Sequence, residues 1–527
     1  MGSTFAKLLR DNCRPDILAD NVRQLVGKKR KRSEEPEPEL NDRMRAPKKK
    51  KLMCTPKYIH KTLFTEGKGS DVTVNALDKQ WKLHKIYLSQ SPYFASMFSG
   101  AWREADEDTV NIKIVDPKIT VSALQTVFGS LYMDETTLEP SDIVSVVAAA
   151  TLFQLEGIIE KCGEVMLETM CAQTAVVYYE AACEYGLNVV KENAFKFILI
   201  SLLSRLNEFP DQIKAISEEL MTKLVRSVDL FVISSELSLY LFLRKWLYLR
   251  LNIPPDPNVP EGVSQPCHYF QNIRKGLLPF LLTEEGKKYV ETFQSLRLQH
   301  IITHYADLGI LSNDNIIPQN WLTPFYRIQW SNVLRVNQGL DKGPEEMNNQ
   351  EFWGSCMRLG RVVPEPNSMW RWMDFNNGLD LVWSCDALSV KVKRSHETDS
   401  TFLLSQAPRR HFMVRVRVAH YGNNGQHPTI VTQSSGIKNI ALFKNEEVVI
   451  MCLSKKLNFP LMVSVNMISV KPSPVILPNT MENKSIQCPD MISDDAALDQ
   501  DVVENLMSES LEHIYTSSCI TSRGDGM

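Results

Sequence analysis

Three runs decide the reading of this chain: Asp71-Val72-Thr73-Val74, Trp81-Lys82-Leu83-His84-Lys85, and Leu88-Ser89-Gln90-Ser91-Pro92-Tyr93-Phe94-Ala95-Ser96-Met97-Phe98. In the first, valines alternate with polar residues, and Trp81 and Leu83 keep the same period of two, which puts apolar side chains on one face of a strand. The first two runs therefore predict a two-stranded hairpin. In the third, Ser91 supplies the oxygen an N-cap needs, and Pro92 suits the first helical position because its missing N–H has no intrahelical partner there. Gly100 then stops the helix just past Phe98, leaving Tyr93, Phe94, Met97 and Phe98 as its apolar face. Further out, Val110–Val115 alternates as a third strand. Two helices follow, one carrying Val121, Leu124, Val127, Phe128 and Leu131, the other starting behind Ser141 and burying Val144, Val147, Ala148 and Leu152. Ahead of the hairpin, Tyr58, Ile59, Leu63 and Phe64 repeat at helical spacing before the turn Glu66-Gly67-Lys68-Gly69.

This ordered set resembles the signature of the BTB (POZ) family, and the resemblance covers about residues 56–165. It implies an α/β domain in which Asp71 and His84 are structural, read here as a buried polar pair. It also implies a homodimer, with the apolar helix at Tyr58, Ile59, Leu63 and Phe64 exchanging contacts, since an apolar face outside the core needs a cover. Cullin-binding members resemble one another in a hydrophobic residue, any residue, then Glu after the capped helix. Here that pattern is Trp102-Arg103-Glu104, with Phe98 just before it. A large apolar side chain can enter a groove on the cullin, and a carboxylate can fix its orientation. Trp102 stands where such proteins usually carry Met, Leu or Phe.

Residues 166–310 read as helical. Ala181, Tyr185, Gly186, Leu187, Asn193, Ala194 and Phe197, and later Leu220 to Trp246, resemble the all-α BACK domain that trails many BTB adaptors. Pro254, Pro255, Pro257 and Pro260 break the helices, and helical pattern resumes at Glu284–Tyr305. Across 315–475 helical periodicity is expected to give way to a β-rich domain, a sandwich or barrel; six of the nine tryptophans fall between Trp321 and Trp383. Phe412, Val414, Val416 and Val418 alternate with Met413, Arg415 and Arg417 ahead of the turn signal Asn424-Gly425, and further strands are expected at Val448–Leu453 and Leu461–Val470.

A chain of 527 residues with 43% hydrophobic residues, 23% charged residues and a formal charge of -3 has the composition of a modular soluble protein. Residues 1–55 form a basic arm without core-forming residues, and 480–527 an acidic tail; both are expected to be disordered. The tail's Val502–Ile514 has the pattern of a short helix that docks to a partner. Lys28, Lys29, Arg30, Lys31 and Arg32, with Lys48, Lys49, Lys50 and Lys51, suit the acidic groove of a nuclear-import receptor. No aromatic residues for base stacking lie between the two clusters, which disfavours nucleic acid. Met1-Gly2 invites myristoylation, but Ala6 stands where Ser or Thr is expected. The 11 cysteines form no CxxC pair, and reduced thiols inside the cell are the natural reading.

Nothing points to catalysis, a small-molecule substrate, a cofactor or a metal. Gly67-Lys68-Gly69-Ser70 lacks P-loop spacing, and no Glu follows His300 and no third ligand joins it and His304. The whole order, basic arm, BTB domain, BACK-like helices and tryptophan-rich β domain, resembles the germ cell-less-like family. That resemblance implies a non-catalytic adaptor that brings a client, held by the C-terminal domain, to a cullin-3 ubiquitin ligase. It further implies a nuclear matrix or envelope location, nuclear-envelope partners, and a role in germ-cell development and spermatogenesis. The rival expectation is a nuclear scaffold or transcriptional corepressor that uses the same dimer without a ligase.

Overall fold

The hairpin forms where the alternation places it, with β1 (Val72–Ala76) antiparallel to β2 (Lys79–Leu83) and Val74 opposite Trp81. Leu77 and Asp78 join them at φ 45° and 58°, the left-handed geometry that matches the twist of a two-residue hairpin turn. The structure is a computed structural model that describes residues 55–100, 107–133, 136–260, 262–337, 347–375, 379–395, 409–423 and 428–470. All of these but Thr55 belong to a unit that begins at Pro56. β3 (Thr109–Asn111) runs parallel to β1 and completes a sheet of order β2-β1-β3. It is shorter than the alternation over Val110–Val115 predicts. β1 ends at Ala76, so after Ile112 donates to the Asn75 carbonyl no partner backbone remains, and Val115 is exposed.

The helix Pro92–Phe98 has the expected punctuation. Ser91 Oγ accepts from the Phe94 amide and donates to the Phe153 carbonyl at 2.6 Å, tying the cap to the helix Ile143–Leu152 just before it. Phe94 is fully buried and stacks on Phe153. Trp81 meets Phe128 of the helix Val121–Ser130 edge to face, closing the core over the sheet.

Helices Glu156–Glu168, Ala175–Tyr185, Asn188–Ser201, Glu218–Arg226 and Glu236–Arg250 carry the chain onward. Gly186 ends the second of these at φ 78°, a left-handed cap that costs glycine nothing. Two expectations need correction here. The stretch 284–305 holds only short turns, Lys287–Tyr289, Val290–Gln294 and Leu298–His300, and its histidines do not share a helix: His304 caps the next one, Tyr305–Asp314. The region opening at 315 is not yet β, because Gln319–Asn337 is a helix of 19 residues. Its tryptophans and Pro324 disguise it, but Leu322 is fully buried and Trp321 and Phe325, one turn apart, pack on the same core. Packing of an apolar face outweighs weak local propensity.

Strands begin at β4 (Met357–Val363) and continue through β5 (Ser368–Phe375), β6 (Leu379–Cys385), β7 (Ser389–Arg394), β8 (Arg409–Asn423), β9 (Pro428–Ser434), β10 (Lys438–Phe443), β11 (Glu447–Cys452) and β12 (Leu461–Val470). One sheet has the order β10-β8-β12-β4, with β9 also paired to β8, and the other the order β11-β7-β6-β5. They share a core that includes Trp383, Val414, Val416, Val463 and Val465, which makes the domain a sandwich. β8 and β9 pair as the expected hairpin, Asn423 opposite Pro428, while Asn424-Gly425 lies outside the described residues. The outer face of the first sheet sits on the helices: Ala419 and Met462 pack with Ile200 and Phe231.

Candidate functional site

The apolar segment expected to pair two copies forms Thr55–Ile59 and a wider π-helical turn, His60–Thr65. Its four named residues do not act alike. Phe64 is buried in the chain's own core, Ile59 and Leu63 are half-buried against it, and Tyr58 is 55% exposed. The Phe64 ring comes so close to Gly129 that a Cβ there would stand 3.0 Å from it. Phe64 thus anchors the segment, and Tyr58 with the open flanks of Ile59 and Leu63 is what remains for a partner.

Phe98 ends its helix half-buried, with the Lys85 ammonium 5.4 Å from its ring, and Gly100 follows at φ 86°. Trp102, Arg103 and Glu104 lie outside the described residues, as do Lys28, Lys29, Arg30, Lys31, Arg32, Lys48, Lys49, Lys50 and Lys51. Asp71 and His84 are not a pair. His84 is buried between the Tyr132 hydroxyl at 3.2 Å and the Lys68 carbonyl at 3.1 Å, whereas exposed Asp71 accepts from the Lys85 amide at 2.7 Å. Asp71 lies one residue before β1 and His84 one after β2, but the contact that the resemblance implied between them is taken on the His84 side by the Tyr132 hydroxyl.

A second surface lies between the helices and the sandwich. Arg415 and Arg417 leave the outer face of β8 and meet one acid, Asp229. Arg415 Nη2 reaches its Oδ1 at 2.8 Å, and Arg417 Nη1 donates to its carbonyl at 2.7 Å. Both guanidiniums are nearly buried, and burial lowers the Arg417 pKa despite Asp229, with Arg415 adding to the drop. They floor a groove of about 920 Å³ between helices 156–168 and 188–201 and strands β8 and β9. The alternation in β8 was legible in the sequence, but it predicts solvent-facing arginines; only the docking of Asp229 turns them into the floor of a groove.

Beside it, two strands across the same face of the sheet, runs a buried ionic seam that sequence reading missed. Arg358 on β4 pairs with Glu236, its Nε donating to Oε2 at 3.0 Å and its Nη1 to the Val225 carbonyl at 2.7 Å. Arg297 donates its amide to Glu236 Oε1 at 2.9 Å and its guanidinium to the Cys356 and Trp353 carbonyls. Burial pushes the Glu236 carboxyl up, but the charge and hydrogen bonds of Arg358, with help from Arg297, outweigh it and hold it low. No local motif signals a contact between residues this far apart in the chain. Among the described residues there is no cluster of potential metal ligands, and no helix is long and apolar enough to cross a membrane.

These features are those of a BTB protein, and the family model for the BTB/POZ domain matches residues 60–170. Protein germ cell-less of Drosophila melanogaster is 44% identical over 451 residues, 81% of this chain and 79% of that protein. Germ cell-less protein-like 1 of Homo sapiens is 38% identical over 434 residues, 81% and 84% of the two chains. Kelch-like protein 15 of Homo sapiens is 28% identical over 195 residues, 36% of this chain and 30% of that one. The chain therefore belongs to the germ cell-less family.

Proposed function

We propose that the protein is a substrate adaptor of a cullin-3 type ubiquitin ligase, acting as a homodimer in germ-cell development. The observation that carries the reading is the presentation of one BTB helix end. Phe98 is left half-open at the last turn, Gly100 ends the helix at φ 86°, and Trp102-Arg103-Glu104 follows next in the sequence. An indole and a carboxylate following such a helix suit a hot spot in which the apolar group enters a pocket and the acid fixes register. The division of the rest supports the same role. A β sandwich keyed into the helices by Arg358 and Glu236 holds a client in fixed relation to the cullin-binding end, as transfer onto that client requires. The two basic clusters direct the protein to the nucleus, at the matrix or envelope, where nuclear-envelope proteins are among its partners.

Replacing Trp102 and Glu104 together by alanine is expected to weaken binding of purified cullin-3 by at least about 100-fold, the loss of roughly 3 kcal/mol typical of a hot spot. The circular dichroism spectrum and the dimer should remain unchanged. Unaltered cullin-3 affinity in the double variant would reject the assignment and favour a scaffold that uses the same dimer.

A further inference from the structure

The helix Gln319–Asn337 leaves one of its faces open. Leu322 is fully buried, Trp321 and Phe325 pack on the same core, and Gln329 Nε2 donates to the Gln299 and Ile302 carbonyls, each at 3.2 Å. The helix is therefore fixed, and Thr323, Arg327, Trp330 and Leu334 fall on its outer side at three- and four-residue spacing, one face of an α-helix. Trp330 is 65% exposed and Leu334 43%, with Ile328 at 53% on the flank. Three large apolar side chains open to water within two turns of a rigid helix need a cover, and tryptophan is a side chain that hot spots favour.

Charge narrows the choice of cover. The 19 residues of this helix include two arginines and no aspartate or glutamate, and exposed Arg327 sits one turn before Trp330 on the open face. An amphipathic helix with acidic flanks fits such a face, its apolar stripe over Trp330 and Leu334 and its carboxylates toward the arginine. The chain carries one such segment. In Val502–Ile514, which lies outside the described residues, Val503, Leu506, Met507, Leu511 and Ile514 recur at three- and four-residue intervals. Asp501, Glu504, Glu509 and Glu512 fall between them, and the segment has no Lys or Arg. As a helix it would be about 20 Å long, against about 17 Å from Thr323 to Leu334. Residues 471–501 join it to β12, and about 30 residues span up to roughly 100 Å when extended, enough to reach any face of a domain of this size.

We propose that the acidic segment Val502–Ile514 docks as a helix on the open face of Gln319–Asn337, covering Trp330 and Leu334 and setting its carboxylates beside Arg327. The tether holds the segment near the face at an effective concentration on the order of millimolar, so a modest affinity keeps the face closed. The docking does not depend on the ligase reading.

The test is hydrogen exchange on the full-length protein. Amides of Val502–Ile514 should exchange at least tenfold more slowly than in a synthetic peptide of the same residues. In Trp330→Ala with Leu334→Ala, changes at exposed positions that leave the thermal midpoint in place, they should return to the peptide's rate. A second measurement is independent of that variant. A fluorescent peptide spanning 501–515 should bind the full-length chain carrying Leu506→Glu with Leu511→Glu, whose own tail no longer fits, at least tenfold more tightly than the parent. Adding Arg327→Glu to that chain should weaken the peptide at least threefold, and changing the peptide's Asp501, Glu504, Glu509 and Glu512 to Lys should restore binding. Exchange of the parent's tail at the peptide's rate, protection that survives the changes at Trp330 and Leu334, or equal peptide binding by the parent and the tail variant would each overturn the proposal. Protection that rises with protein concentration would make another copy's tail the occupant. An unprotected tail with Trp330-dependent binding to phosphatidylserine vesicles would give the face to a membrane, and either result overturns it too.

Discussion

Arg358→Ala is expected to destabilise the protein by about 3–5 kcal/mol, the usual cost of removing one partner from a buried ion pair. The side chain is 2% exposed and Glu236 1%, so water cannot replace what is lost. Arg297 would remain near the stranded carboxylate, but its guanidinium is committed to the Cys356 and Trp353 carbonyls. The loss should appear in thermal unfolding as a midpoint lowered by roughly 6–10 °C, at about 2 °C per kcal/mol. A double change to Glu236→Gln with Arg358→Met should recover part of it, since the stranded carboxylate is gone while Arg297 keeps its bonds to the Cys356 and Trp353 carbonyls.

The same pair sets an acid limit. The folded-state pKa of Glu236 lies below its ordinary 4.5, so its contribution is fully present above that value and disappears as pH falls through the lower folded one. In Arg358→Ala burial acts with much less opposition and raises the carboxyl, so protonation then favours the folded state and the stability gap between variant and parent should narrow as pH falls. Equal midpoints in the two proteins at every pH would show that the seam contributes nothing.

Gly360→Ala should have the larger structural consequence. A Cβ at this position would stand 2.3 Å from the Val232 carbonyl oxygen and 3.0 Å from the Phe231 ring, and the first of these is backbone that cannot swing aside. One methyl group therefore separates β4 from segment 231–234, breaking the Ser234 bond and the apolar contact of Phe231 with Ala419 and Met462. The expected cost is at least about 4 kcal/mol, in the tail that only defined mechanisms such as overpacking reach. Calorimetry should show one unfolding event in the parent and two in the variant, with the sandwich and the helices melting separately. Gly354→Ala is the control, since a Cβ there meets nothing within 4 Å and should move the midpoint little.

The sequence was most legible where local rules act over short distances. Ser91, Pro92 and Gly100 bracket a helix by capping chemistry alone, and the alternation from Phe412 to Val418 reports a strand with one face inward. It was least legible where contacts join distant residues. Nothing near Glu236 announces Arg358, and nothing near Asp229 announces Arg415 or Arg417. Helix Gln319–Asn337 was hidden for a different reason: tryptophan density and Pro324 suggest strands and loops, while the buried face through Leu322 becomes visible only once its neighbours are placed. Asp71 and His84 show the opposite error, a pairing read from the family resemblance when each has its own nearer partner.

The adaptor reading depends on one assembly, two copies of this chain joined through their BTB domains, each holding one cullin-3. Sedimentation equilibrium of the full-length protein mixed with the N-terminal region of cullin-3, at micromolar concentrations, measures it directly. The account predicts a mass equal to two chains plus two cullin-3 fragments. A chain that sediments as a monomer and leaves the cullin-3 fragment free at those concentrations contradicts it.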